Sequence, residues 1–399
     1  MAKKREPIRE DQLKNWNLLD QFRRRVLPFL QAKAATDTEQ DPRRTLFADD
    51  YFCLFLFTIV NPVITSMRSL CHVSHCRKMR QVSRAPVCPA AFSAGQHVFD
   101  PEILEKVVRD LAKENQGRDQ GGDARVRQAL AALTAIDGSV LRAVPRMTWA
   151  PAAGAGTAIR LHLHFNVFDQ IPQLWPITPG NLSESKIMAQ TIQPGTMNVA
   201  DRAYGHDFGL LAQLREKGIE FVFRLFNNLV FTPVGPDRPL SEEDRRAGVV
   251  WDRLVRLGVH GDGPVFRVVR VEANGDVFQL ITTREDLSAG IISLIYRQRW
   301  QIELYFKWIK MILNCRHWLA ESPEGVEIQI YCVLIASLLL MLWTGQRPNK
   351  RMVESLQWYW MGMANEEDLV TLLLCPHQVL TINPFHFSPQ CRPSTASLT

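Results

Sequence analysis

Glu303 lies in a run, from Tyr296 to Lys310, that contains neither Pro nor Gly and also carries Arg299. The spacing predicts one helix on which Tyr296, Arg299, Glu303 and Lys310 fall within an arc of roughly 60°. Ile295, Ile302, Phe306, Ile309 and Leu313 gather on the adjoining face. Such a helix lies on a core and shows its charged edge to a cleft. An ordinary amphipathic surface helix has the same outline, so the edge alone decides nothing. Two further acids, Asp137 and Asp201, stand on separate elements. Hard divalent ions prefer carboxylate oxygens, and two Mg²⁺ ions roughly 3.5–4 Å apart can activate a water and assist a leaving oxygen in phosphodiester cleavage. Singly, an Asp at a strand end is more often a turn or cap residue; the case rests on the set.

The elements that must position these acids follow from periodicity. Leu133 to Val140 predicts a strand interrupted by Asp137. After an Ala/Gly loop, Ile159, Leu161, Leu163, Phe165 and Val167 alternate with Arg160, His162, His164 and Asn166. That period of two predicts a strand with one core face and a polar face on which the histidines are exposed rather than bound to metal. Met197 to Asp201 predicts a short strand ending on an acid, while Asp207 predicts an N-cap for the helix that follows. Ile219 to Leu225 returns as a strand, and strands interleaved with helices imply an α/β sheet core. Between about 227 and 288, three strand-like runs separated by Gly, Asp and Asn turns read as a β-rich insertion.

The 399 residues suffice for two or three domains. We read 1–123 as a helical, basic DNA-binding domain, 124–345 as the sheet domain with its insertion, and 346–399 as a helical extension with a loose tail from Pro384. The net charge is +6, and no Asp or Glu occurs between Tyr51 and Phe99, where Arg68, Arg77, Lys78, Arg80 and Arg84 lie. That stretch would attract a polyanion. The eight cysteines are irregularly spaced and no apolar leader follows the basic N-terminus, so reduced thiols in a cytoplasm are expected. Cys71, His72, His75 and Cys76 lack the second pair that a zinc finger needs. The apolar run from Ile328 to Trp343 is shorter than a bilayer span and predicts a buried helix, with no membrane role.

Tyr296, two residues, Arg299, three residues, Glu303, six residues, Lys310 is the spacing that names the YREK group of insertion-sequence DDE transposases, and this sequence resembles it at all four positions. Ile136-Asp137-Gly138-Ser139, Arg160-Leu161-His162-Leu163 and Val199-Ala200-Asp201-Arg202-Ala203-Tyr204, in this order before that helix, look like the catalytic blocks of insertion-sequence-four-type transposases. The resemblance implies a ribonuclease-H-like mixed sheet flanked by helices, the β insertion preceding the last acid. It implies that Asp137, Asp201 and Glu303 ligate two Mg²⁺ ions, with Mn²⁺ as a substitute, to nick the element's ends and join the freed 3′ hydroxyls to target DNA. Tyr296, Arg299 and Lys310 would then contact phosphates of double-stranded DNA, with Trp300 stacking on a displaced base and Arg77, Lys78 and Arg80 binding DNA elsewhere. A dimer on DNA, at the nucleoid, is the family expectation. Ala203 stands where the family often has Gly, and a turn needing positive φ would disfavour it. A catalytically silent DNA-binding descendant and a related metal-dependent nuclease are the alternatives.

Overall fold

The computed structural model describes residues 17–34, 45–61, 63–117, 121–227, 229–258, 263–273, 275–313 and 318–374. The predicted tail from Pro384 and most of the basic lead lie outside these residues. Helices α1 (Asn17–Ala34), α2 (Ala48–Val60), α3 (Met67–Val73), α4 (Pro89–Val98), α5 (Glu102–Asn115) and α6 (Ala124–Ala129) precede the first strand. Then come β1 (Leu133–Arg142), β2 (Ala158–Asn166), β3 (Ile171–Leu174), β4 (Ile177–Pro179), α7 (Glu184–Thr191), β5 (Met197–Ala200), α8 (Arg202–Gly205), α9 (Phe208–Glu216) and β6 (Phe221–Arg224). The segment expected as an insertion contains β7 (Phe231–Pro233), α10 (Glu242–Arg246), β8 (Val249–Leu257), β9 (Val265–Ala273) and β10 (Asp276–Thr282). Helices α11 (Ala289–Gln298), α12 (Trp300–Leu313), α13 (Pro323–Thr344), α14 (Lys350–Trp360) and α15 (Glu366–Leu374) follow.

One ten-stranded sheet runs in the order β3-β2-β1-β5-β6-β10-β9-β8-β7, with β4 beside β2. β1 pairs antiparallel with β2 and parallel with β5, and β5 pairs parallel with β6. This mixed sheet flanked by helices is consistent with the ribonuclease-H-like expectation. The segment expected as an insertion continues the same sheet, because β10 pairs antiparallel with β6.

Alternation along the strands divides the core. Leu133, Ala135, Leu161, Leu163 and Val199 join the larger hydrophobic cluster with Ile292, Ile295, Ile302 and Ile309 of α11 and α12. Ile136, Ala200, Phe221 and Phe223 join a smaller one with Met188 of α7 and Leu210, Leu211 and Leu214 of α9. By the two-residue period, Asp137 shares the face of Ala135 and therefore looks toward α11 and α12, whereas Gly138 looks toward the layer of α7.

The apolar run predicted from Ile328 extends to the 22 residues of α13, because Ser322 caps it, Pro323 opens it, and Gly345 at φ 62° ends it. That is long and apolar enough to cross a membrane by length and composition. The helix is nevertheless enclosed, packing against α2, α5 and α12. The N-terminal helices consequently share one hydrophobic cluster with the sheet. The histidines differ from expectation. His162 and His164 are buried at 3% and 6% exposure, since β2 lies inside the sheet and is covered on both faces. His162 Nε2 lies 2.9 Å from Thr178 Oγ1 and His164 Nε2 lies 3.1 Å from Thr191 Oγ1. Burial holds both rings down at a pKa of about 4.

Candidate active site

The parallel register matches Ile136 with Ala200, so the residues that follow, Asp137 within β1 and Asp201 just past the end of β5, occupy adjoining positions. Each carboxylate is anchored locally. Asp137 Oδ1 accepts from the Gly138 N–H at 2.8 Å, and Asp201 Oδ1 accepts from the Ala203 N–H at 2.8 Å as the N-cap of α8. Ala203 thus sits in a right-handed first turn and needs no positive φ; Gln170 is the only non-glycine with positive φ among the described residues. The glycine that this turn requires is Gly205, where a Cβ would meet the Arg224 carbonyl oxygen at 2.1 Å. Asp207 caps α9, accepting from the Leu210 N–H at 2.9 Å, as the sequence predicted.

Burial, reinforced by the Asp201 charge, pushes the Asp137 carboxyl up to about 7 against the pull of the Arg299 guanidinium and the Gly138 amide.

The single helix predicted from Tyr296 to Lys310 is two, α11 and α12, meeting at Arg299. Around this residue the ladder tightens: Arg299 N–H donates to Tyr296 O and Ile302 N–H to Arg299 O, both at 3.1 Å. Arg299 Nη2 then donates to Glu303 Oε1 at 2.5 Å, with both side chains largely covered. Burial works against the Arg299 charge, but Tyr296, Glu303 and Asp137 together raise its pKa. Its guanidinium is therefore the internal counter-ion of a strand-borne and a helix-borne acid.

The remaining predicted residues separate. Tyr296 is 8% exposed, its ring 5.4 Å from Phe278 and 5.7 Å from the Arg299 guanidinium. Lys310, in the last turn of α12, is exposed. Trp300 is 48% exposed, with the Lys307 ammonium 4.5 Å above its ring. Arg77, Lys78 and Arg80 are exposed on a 3₁₀ turn over Arg77–Gln81. Arg23 of α1 fastens that turn by donating to Gln81 O at 2.7 Å and Val82 O at 2.5 Å.

Arg160 and Tyr204 stand within the blocks read from the sequence, though without a role of their own, and Glu184 is the part of this neighbourhood that sequence reasoning missed. Glu184 opens α7 and is ion-paired with Arg160 at 2.8 Å; it also accepts a hydrogen bond from the Tyr204 hydroxyl. The available signal was Gly138, directly after Asp137: a Cβ there would lie 3.1 Å from the Glu184 carboxyl and 3.4 Å from Arg160 Cδ.

Among the described residues, no three His, Cys, Asp or Glu side chains lie close enough together to hold an ion, and this includes Cys71, His72, His75 and Cys76. The donor chemistry nevertheless fits a hard divalent cation. Asp137 and Asp201 are carboxylates at adjoining positions, the Asp201 charge acts on Asp137, and the Arg299 guanidinium already supplies positive charge to Asp137 and Glu303.

Residues 129–339 match the family described as Transposase DDE domain. A putative transposase y4zB of Sinorhizobium fredii is 28% identical over 283 residues, 68% of this chain and 76% of that protein. A probable transposase for insertion sequence element IS5377 of Geobacillus stearothermophilus is 26% identical over 209 residues, covering 52% of this chain and 54% of its own. A putative transposase for insertion sequence element IS4SA of Synechocystis sp. is 23% identical over 303 residues, 73% of this chain and 80% of that one. The matched stretch opens just before β1 and closes within α13, so it takes in all three acids and more than half of the sequence, and this chain belongs to the DDE transposase family.

Proposed function

We propose that this transposase, of the insertion-sequence-four type with the YREK signature, cleaves the ends of its mobile element and joins the 3′ hydroxyls to target DNA in a cut-and-paste reaction. Transposases of this family act on DNA, and their DDE domain generally uses divalent metal ions. The observation that carries the reading is the parallel register that sets Asp137 beside Asp201, on the face covered by the α11–α12 junction. Asp137, Asp201 and Glu303 would hold two Mg²⁺ ions, which when bound supply an activated water and charge stabilisation for the leaving oxygen. The protein's own part is positional. The sheet fixes the two aspartates, and the first turn of α12 presents Glu303.

Arg299 donates to Glu303 and its charge also acts on Asp137, and a DNA phosphate is the anion to which its fork would turn when Glu303 is engaged elsewhere. Lys310 and Tyr296 would flank that phosphate, and Trp300 would stack on a displaced base. Arg77, Lys78 and Arg80, in a helical N-terminal DNA-binding part (1–123), would hold the duplex away from the sheet domain (124–345). A dimer on DNA, in a cytoplasm and at the nucleoid, completes the proposal.

Glu303→Gln is expected to abolish Mg²⁺-dependent nicking of DNA carrying the element ends while DNA binding persists; unchanged nicking would refute the assignment. Neutralising Arg77, Lys78 and Arg80 together is expected to weaken DNA binding. It should also flatten the plot of log affinity against log salt by about 2 to 3, near 0.9 per lost phosphate contact. An unchanged slope removes the 3₁₀ turn from the interface. Wild-type protein that binds but never nicks would favour the silent descendant, and nicking without strand-transfer products the nuclease.

A further inference from the structure

The Arg160–Glu184 pair has no part in the function set out above, yet it lies against the residue that follows Asp137. Both side chains are mostly covered, at 17% and 20% exposure, and meet at 2.8 Å. Gly138 is what admits them: a methyl group there would press on the Glu184 carboxyl at 3.1 Å and on the Arg160 stem at 3.4 Å. They approach from the α7 layer, on the sheet face opposite Asp137, at the one residue of β1 that carries no side chain. On the far side of Glu184, the buried Tyr204 hydroxyl donates to the carboxylate, and Tyr204 belongs to α8, the helix that Asp201 caps. Arg160 Nη1 also reaches the Leu182 carbonyl at 3.3 Å, while its buried Nε has no hydrogen-bond partner.

We propose that Arg160 and Glu184 form a charge-balanced pair that sets the divalent-cation affinity of the aspartate site: Glu184 cancels a guanidinium charge that would otherwise repel the cation through the gap at Gly138. Glu184 is thus a positioning residue and not a ligand. The inference rests on the reading of Asp137 and Asp201 as cation ligands. Its consequence is that the two members of one ion pair act in opposite directions. Losing Glu184 leaves an uncompensated positive charge beside the site, and losing Arg160 leaves an uncompensated negative one.

The test is Mn²⁺ binding to the full chain by calorimetry, with urea unfolding of every variant alongside. Glu184→Gln keeps a partner for both Arg160 and Tyr204, and is expected to weaken Mn²⁺ binding about fivefold. Arg160→Gln should strengthen it by a similar factor, and the double variant should return to within about twofold of wild type. Losses in both single variants, tracking lost stability, would mean a merely structural pair and overturn the proposal. Unchanged affinity in both would overturn it as well. A double variant as weak as Glu184→Gln alone would make Glu184 a ligand and overturn it too. Asp137→Asn separates the two levels: if it binds Mn²⁺ as well as wild type, or if wild type shows no saturable binding, the site reading itself fails. If it loses binding while the pair variants do not respond, only the pair proposal fails.

Discussion

The strand-borne and helix-borne acids of the proposed site are held by different physics. Asp137 lies on a strand paired on both sides, with β2 and with β5, and Asp201 ends the next strand and caps α8. Their separation is a property of backbone register, which a packed sheet does not change without breaking many hydrogen bonds. Glu303 lies one turn beyond a discontinuity in the helix, and its carboxylate is aimed by one partly covered ion pair with Arg299.

Upstream of that discontinuity α11 is firmly seated. Gly290 N–H donates to Asp244 Oδ1 at 2.6 Å, and Arg267 donates to the Leu287 carbonyl at 2.6 Å just before the Ser288 cap. Asp244 and Arg267 thereby anchor the start of α11. The lesson is that the sheet holds two acids as a fixed floor, whereas Glu303 is aimed by a side-chain ion pair.

Three experiments would test this contrast. The largest effect is expected at the anchor. Arg267 is 1% exposed and forms a two-pronged pair with Asp252, at 2.9 and 2.7 Å. Arg267→Met should lower unfolding stability in urea by about 3 kcal/mol, because it strands a buried carboxylate, with Arg238 at 3.5 Å offsetting part of the loss. A change below 1 kcal/mol would show that the anchor matters little.

On the floor side, the buried histidines of β2 remain neutral in the fold down to a pKa of about 4, whereas an unfolded chain binds those protons near 6.5. The unfolded state therefore holds more protons between those values, and stability falls as the pH drops from about 6.5 to 4. His164→Gln should remove on the order of 2 kcal/mol of that dependence, read from urea midpoints across the window. The smallest effect is expected at that ion pair. Arg299→Gln should cost about 1 kcal/mol of stability without added metal. It should also tighten Mn²⁺ binding, because an internal competitor for the acids is gone; weaker binding would show that Arg299 organises the acids instead.

Much of this protein was legible before any coordinates. The period-two run of Ile159 to Val167, the cap at Asp207 and the acid-ended strand at Asp201 are local signals, and local geometry realised each of them. Other features were misread for identifiable reasons. Alternation identifies a polar face but not what covers it, so the histidines of β2 were expected at the surface and lie inside. A stretch without Pro or Gly reads as one helix, yet tertiary packing tightened it at Arg299 into two.

The amino-acid order is enough to give the residue types and their spacing: the three acids, the four groups of the Tyr296 to Lys310 stretch, and the acid-free basic segment. Side-chain chemistry and short-range periodicity are properties of the chain, readable one window at a time. Only the tertiary structure decided which charges face one another, because that depends on strand order and on contacts between residues remote in sequence. It set Asp137 beside Asp201 and gave Arg299 to Glu303 and Asp137 together. Through the missing side chain of Gly138 it also brought Arg160 and Glu184 to the back of the site.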